Sequence, residues 1–285
     1  MESTFDSSRR SFLQSVGGVI AASAVAPFAS ADTLSPTIAA SVALSDRAMG
    51  MRQNLGAFAI ARDLGATGVE LDFGRLGARR ELDTRLSRPA GRRLFDLAAM
   101  DSGVPLVSLR LGALSDISLA DDPRWDAVSD DFLQTLHAGS IRVGVLPLGR
   151  TGDLGGAGVR APAIGRLTAF CRRAEQAGVT LAIDADLPPA DLAELLDQVG
   201  SPDMKACVSD VETFRAVGVK RVAQVRFRYD GVDPVARAVD LNALRRATAA
   251  AGWQGWIVID RPAVAGSSTL DDARRAVRQV RSIFA

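Results

Sequence analysis

Val222-Ala223-Gln224-Val225-Arg226-Phe227-Arg228-Tyr229-Asp230 reads as a buried strand interrupted by charge. Side chains alternate between the two faces of a strand, so Gln224, Arg226 and Arg228 share one side while Val225, Phe227 and Tyr229 share the other. Two arginines on the inner face of a core strand require anionic partners, because an unpaired buried charge is very costly. Those partners are either a ligand or carboxylates from elsewhere in the chain.

Upstream and downstream of this stretch, strand and helix signals alternate from residue 37 onward. Strands are expected over residues 37–44, 68–73, 104–112, 141–148, 179–186, 204–210, 219–229 and 253–260. Helices are expected over residues 46–65 with Asp46 as N-cap, 89–102 ended by Gly103, 126–138 closed by Gly139, 161–177, 188–199, 212–217, 241–251 and 269–283. Eight such alternations in about 250 residues predict a single-domain (β/α)8 TIM barrel. An open doubly wound sheet is disfavoured, because no glycine-rich dinucleotide fingerprint stands in the first unit. Residues 149–158 carry five glycines and read as a surface loop, with a lid over the site as the alternative.

The N-terminal residues 1–31 stand apart. Ser8-Arg9-Arg10-Ser11-Phe12-Leu13-Gln14 has the form of a twin-arginine export signal, followed by an uncharged run and by Ala29-Ser30-Ala31, an A-x-A cleavage site before Asp32. Gly17, Gly18 and Pro27 break the apolar run, which favours cleavage over a membrane anchor. The barrel domain is therefore expected over residues 32–285. The expected partner is the twin-arginine export machinery and the expected location is the periplasm, with no integral membrane segment in the mature chain. With 47% apolar and 24% charged residues and a formal net charge of +1, the 285-residue chain is neither disordered in character nor marked by a nucleic-acid footprint. Cys171 and Cys207 fall in packed helix and strand patterns and read as buried free thiols. His137, the sole histidine, ends the third helix and reads as structural.

A barrel gathers its chemistry at the C-terminal ends of its strands. The polar residues there are Glu70 and Asp72, Arg110, Asp184 and Asp186, Asp210, Arg226 and Arg228, and Asp260. Alternation turns Asp184, Asp210 and Asp260 inward. Asp210 and Asp184 also suit helix N-caps taken singly, but several strands each delivering an acid at matching positions point to a shared polar site.

On these residues the chain resembles the xylose isomerase-like barrels, specifically the sugar phosphate isomerase/epimerase group. The resemblance rests on Ala61-Arg62-Asp63-Leu64-Gly65-Ala66-Thr67-Gly68-Val69-Glu70-Leu71, Leu181-Ala182-Ile183-Asp184, Val199-Gly200-Ser201-Pro202, Val208-Ser209-Asp210-Val211 and Gly252-Trp253-Gln254-Gly255-Trp256-Ile257-Val258-Ile259-Asp260. It implies a divalent metal (Mn, Mg or Zn) held by acids of strands 5, 6 and 8 and a His of strand 7, with carboxylates moving a proton on a sugar. Carried onto this sequence, the metal ligands would be Asp184, Asp210 and Asp260, and Asp184 and Asp260 would be the acid/base pair. Glu70, Arg110, Arg226 and Arg228 would bind substrate. The position of the His is taken by Arg226, which donates hydrogen bonds only and cannot ligate a metal.

Three functions follow as expectations. The first is an exported isomerase or epimerase acting on a sugar. The second is a non-catalytic relative in which Arg226 replaces the metal by pairing with Asp184, Asp210 and Asp260. The third is a metal-free barrel in which Arg110, Arg226 and Arg228 clamp an anion such as a sugar acid or phosphate.

Overall fold

Short strands with apolar residues on both faces must be covered on both sides, and the computed structural model arranges them as a closed ring. It describes residues 41–76, 84–149, 154, 156–228, 234–260 and 269–284. The export-signal reading of residues 1–31 falls outside them, as do residues 150–153 and 155 of the glycine-rich segment 149–158.

The strands are β1 (Ser41–Ser45), β2 (Gly68–Asp72), β3 (Leu106–Arg110), β4 (Val143–Leu148), β5 (Thr180–Ala185), β6 (Met204–Val208), β7 (Val222–Arg228) and β8 (Trp256–Asp260). They pair in sequence order and in parallel, and β1 closes the barrel on β8. Helices α1 (Ala57–Asp63), α2 (Pro89–Ser102), α3 (Trp125–Ala138), α4 (Ala157–Gln176), α5 (Pro189–Val199), α6 (Val211–Val217), α7 (Pro234–Ala250) and α8 (Thr269–Phe284) alternate with them. No helix among the described residues is long and apolar enough to cross a membrane.

The apolar core lies between barrel and helices. Phe73 and Phe132 meet edge to face at 5.2 Å, and Trp125 and Phe170 at 5.3 Å. Inside the barrel, Val145, Ala182 and Cys207 form a separate small apolar cluster. The Trp256 ring lies so close to Gly68 that a Cβ there would stand 2.7 Å from it, which explains the glycine opposite the Trp-Gly-Trp-like run. Gly103 and Gly200 end α2 and α5 in the left-handed region, at φ 69° and 68°, where glycine avoids a Cβ clash.

Two local expectations change. Asp46 does not cap a long first helix. Residues 46–56 form turns, α1 begins at Ala57, and the Asp46 carboxylate accepts from the backbone N–H of Gln53 (2.8 Å) and of Asp72 (3.2 Å). The polar and glycine-bearing run makes a turn competitive with a helix here. The strand expected over residues 204–210 stops at Val208, because Asp210 caps α6 through Thr213 N at 2.7 Å. Cys171 and Cys207 are free and buried, as expected. His137 contacts the Ala177 carbonyl at 3.2 Å at the end of α3 that precedes β4, on the rim opposite the strand C-termini.

Candidate functional site

Alternation along each strand carries Ser45, Glu70 and Asp72, Ser108 and Arg110, Asp184, Gln224, Arg226 and Arg228, and Asp260 toward the C-terminal mouth. Strand register places Asp72 beside Arg110 and Arg228 beside Asp260. Arg226 occupies the centre of the cluster and is only 1% exposed.

Its guanidinium grips Glu70 with a two-point fork, Nη1 to Oε2 at 3.0 Å and Nη2 to Oε1 at 2.7 Å. Nη2 also donates to Asp260 Oδ2 at 3.0 Å, while Nε lies 3.6 Å from Asp184 Oδ2 without a hydrogen bond. Burial alone would lower the Arg226 pKa. The charges of Glu70, Asp184 and Asp260 reverse that and raise it well above its ordinary value. Planar two-point pairing is the strong form of an arginine–carboxylate contact, and burial strengthens it further.

Further lone pairs of these carboxylates are engaged by neighbouring side chains. Ser108 Oγ donates to Glu70 Oε2 at 2.8 Å. Asp260 accepts from Ser45 Oγ at 2.8 Å and Arg47 Nη1 at 3.3 Å. Burial would raise the Asp260 carboxyl, but Arg226, then Arg47 and Arg110, outweigh it and hold that carboxyl well below the usual range. Asp184 pairs with Arg228.

Expected site residues thus separate into three groups. Glu70, Asp184, Asp260, Arg226 and Arg228 come together in one charge network. Arg110 lies at the same mouth but beside Asp72, at 3.8 Å. Asp210 stands apart as the α6 cap, bonded to Thr213 N and Oγ1. The expectation that Arg226 pairs with Asp210 is therefore corrected: its foremost partner is Glu70, three strands away with β8 and β1 between. The chain turns into α6 directly after β6, and this takes the Asp210 carboxylate to the helix end. Ser45, Arg47, Arg52 and Ser108 were not anticipated. The inward parity of Ser45 with β1 and of Ser108 with Arg110 was the available signal.

The divalent metal implied by resemblance can be tested against this donor set. Among the described residues no three His, Cys, Asp or Glu side chains are grouped so as to hold a metal ion. Where Glu70, Asp184 and Asp260 converge, the space is filled by a guanidinium with five donors and no lone pair to give. The residues present do not fit a divalent ion.

No protein-family model matches the chain, and no curated protein is recognisably similar to it in sequence. Solved structures do share its fold. A 3-keto-D-glucoside 4-epimerase from E. coli aligns with TM-score 0.65 at 14% identity, covering 85% of this chain and 99% of that one. A D-allulose 3-epimerase from Methylomonas sp. aligns with TM-score 0.65 at 14% identity, covering 85% and 97%. A xylose isomerase-like TIM barrel/4-hydroxyphenylpyruvate dioxygenase fusion protein aligns with TM-score 0.57 at 11% identity, over 84% of this chain but only 42% of its own length. The chain has the fold of the xylose isomerase-like sugar isomerase and epimerase barrels.

Proposed function

We propose that this chain is a sugar isomerase/epimerase-like barrel that binds a small sugar-type ligand at its C-terminal mouth without a divalent metal, and that it is a non-catalytic relative of the metal-dependent enzymes. The observation that carries the reading is the Arg226–Glu70 fork with its third contact to Asp260. A guanidinium fixed among the carboxylates neutralises their mutual repulsion, the service a metal would otherwise provide. Proton transfer on a sugar needs a carboxylate free to accept and return the proton. Both oxygens of Glu70 are bound to Arg226, and Asp260 is held too acidic to act as a useful base. The solved sugar epimerases of the same fold support a polyhydroxylated ligand.

A second reading keeps metal-free catalysis through Asp184. It is favoured by one observation: the Arg228 partner of Asp184 is partly exposed, and Arg226 Nε approaches Asp184 without a hydrogen bond. Calorimetric titration with neutral sugars and sugar acids, with and without EDTA, tests the main reading. Binding indifferent to chelator is expected, whereas a strict requirement for Mn, Mg or Zn would overturn it. Turnover of any bound sugar in EDTA, lost in Asp184→Asn, would replace it with the second.

Export through the twin-arginine pathway to the periplasm is part of the same proposal and rests on Arg9-Arg10 and Ala29-Ser30-Ala31. A periplasmic form beginning at Asp32 is expected from N-terminal sequencing. A product confined to the cytoplasm with residues 1–31 intact would remove it.

A further inference from the structure

Arg110 has a different standing from Arg226. It ends β3, is only 6% exposed, and its Nε, like that of Arg226, is buried without a hydrogen-bond partner; unlike Arg226, it has no carboxylate forked by its Nη groups to offset this. Its one ion contact among the described residues is the 3.8 Å approach to Asp72 Oδ2. Asp72 is itself held more tightly by Arg52 Nη2 at 2.8 Å, and its Oδ1 accepts from Gly74 N at 2.9 Å.

Among the other acids of the mouth, Asp260 and Asp184 attract Arg110 through their charge, but each carboxylate is already paired. Glu70 is forked by Arg226, Asp260 is shared by Arg226 and Arg47, and Asp184 is paired with Arg228. Arg110 therefore keeps its charge in a desolvated position with its Nε donor unmet, beside two further guanidiniums at Arg47 and Arg226. Burial, then the Arg47 charge, lower its pKa. A group in this condition is costly to the folded protein on its own, and strained or under-satisfied groups of this kind occur where a ligand completes them.

We propose that the ligand of this mouth carries an oxyanion group, a carboxylate or a phosphate, and that Arg110 is the residue that receives it. The inference rests on the mouth being a sugar-type ligand site and adds the ligand's charge. The planar guanidinium presents parallel donors that match a carboxylate or phosphate edge. Arg226 is excluded from this role because the protein's own acids occupy its fork.

The test compares D-glucuronate, D-glucose 6-phosphate, D-glucose, acetate and inorganic phosphate by calorimetry on the full chain and on Arg110→Met and Arg110→Lys. Glucuronate or glucose 6-phosphate is expected to bind, and whichever binds tighter identifies the group as carboxylate or phosphate. D-glucose should bind at least tenfold more weakly. Arg110→Met should lose about 10–100-fold in affinity for the acid, with Arg110→Lys between it and the wild type. Without ligand, Arg110→Met should melt about 2–4 °C higher, because it removes an under-satisfied buried charge.

D-glucose binding as tightly as the acids would overturn this inference and leave the sugar site standing. Acetate or phosphate binding that depends on Arg110, with no added affinity from any sugar, would keep the inference and remove the sugar. Failure of every anion to bind, undiminished acid affinity in Arg110→Met, or a lower melting temperature in that variant would each overturn it.

Discussion

The two sides of the barrel mouth handle buried charge in opposite ways. Toward β7, β8 and β1, Arg226 meets Glu70 twice and Asp260 once; Ser45 donates to the other Asp260 oxygen, while Ser108 and Arg47 share oxygens that Arg226 also contacts. Toward β3, Arg110 has only the 3.8 Å contact to Asp72, which answers chiefly to Arg52. Both guanidiniums are nearly inaccessible to solvent, so burial does not separate them. The Nε of each is buried without a hydrogen bond, so the difference lies in the anions: both Nη groups of Arg226 are saturated by Glu70 and Asp260, while the side of Arg110 is slack and leaves interaction energy for a ligand.

Breaking the saturated side should have the largest effect. Glu70→Ala leaves the Arg226 fork without its main anion and should cost about 3–5 kcal/mol in urea unfolding. A cost below about 1 kcal/mol would mean that the network contributes little to folding.

On the slack side, Asp46 lies beneath Asp72 and accepts from its backbone N–H. Burial pushes the Asp46 carboxyl up to about 7 despite the N–H groups of Gln53 and Asp72. Between the ordinary value of 3.8 and about 7, the folded protein holds a proton that the unfolded chain has released, so stability falls as pH rises through this window. The decline should be about 2–3 kcal/mol between pH 5 and 7 and should disappear in Asp46→Asn, followed by denaturant unfolding at each pH. The same slope in the variant would assign the decline to other groups.

Gly112 packs directly against the Asp72 carboxylate and Arg52, and a Cβ would overlap both. Gly112→Ala should destabilise by about 1–3 kcal/mol and disturb the Arg52–Asp72 pair, measurable as a lowered melting temperature. An unchanged melting temperature would show that the two side chains yield freely.

The smallest effect is expected outside both regions. Asp210→Ala should cost about 1 kcal/mol as a lost helix cap and leave ligand affinity unchanged. A large loss of binding would restore Asp210 to the site.

Strand alternation and glycine stops made the eight-fold repeat legible in the sequence, the two-residue period turned Asp184, Asp210, Arg226 and Asp260 inward, and Glu70 was legible as a polar strand end. Pairing across the barrel was not legible, because β2 and β7 come together only when β8 closes on β1. Glu70 consequently ranked below Asp210 as a partner for Arg226. Asp210 shows the limit of parity: its strand ends two residues earlier, and a carboxylate before Val211-Glu212 is worth more as a cap than as an inward side chain. Asp46 shows the converse, a residue with N-cap chemistry whose backbone partners come from the following turn and from β2 rather than from a helix.

Calorimetric titration of Mn2+ into the EDTA-treated, dialysed chain tests the proposal that Arg226 occupies the place a metal ion would need. No stoichiometric binding and an unchanged melting temperature are expected. One equivalent of Mn2+ bound by the wild type, and lost in Asp260→Asn, would contradict the proposal.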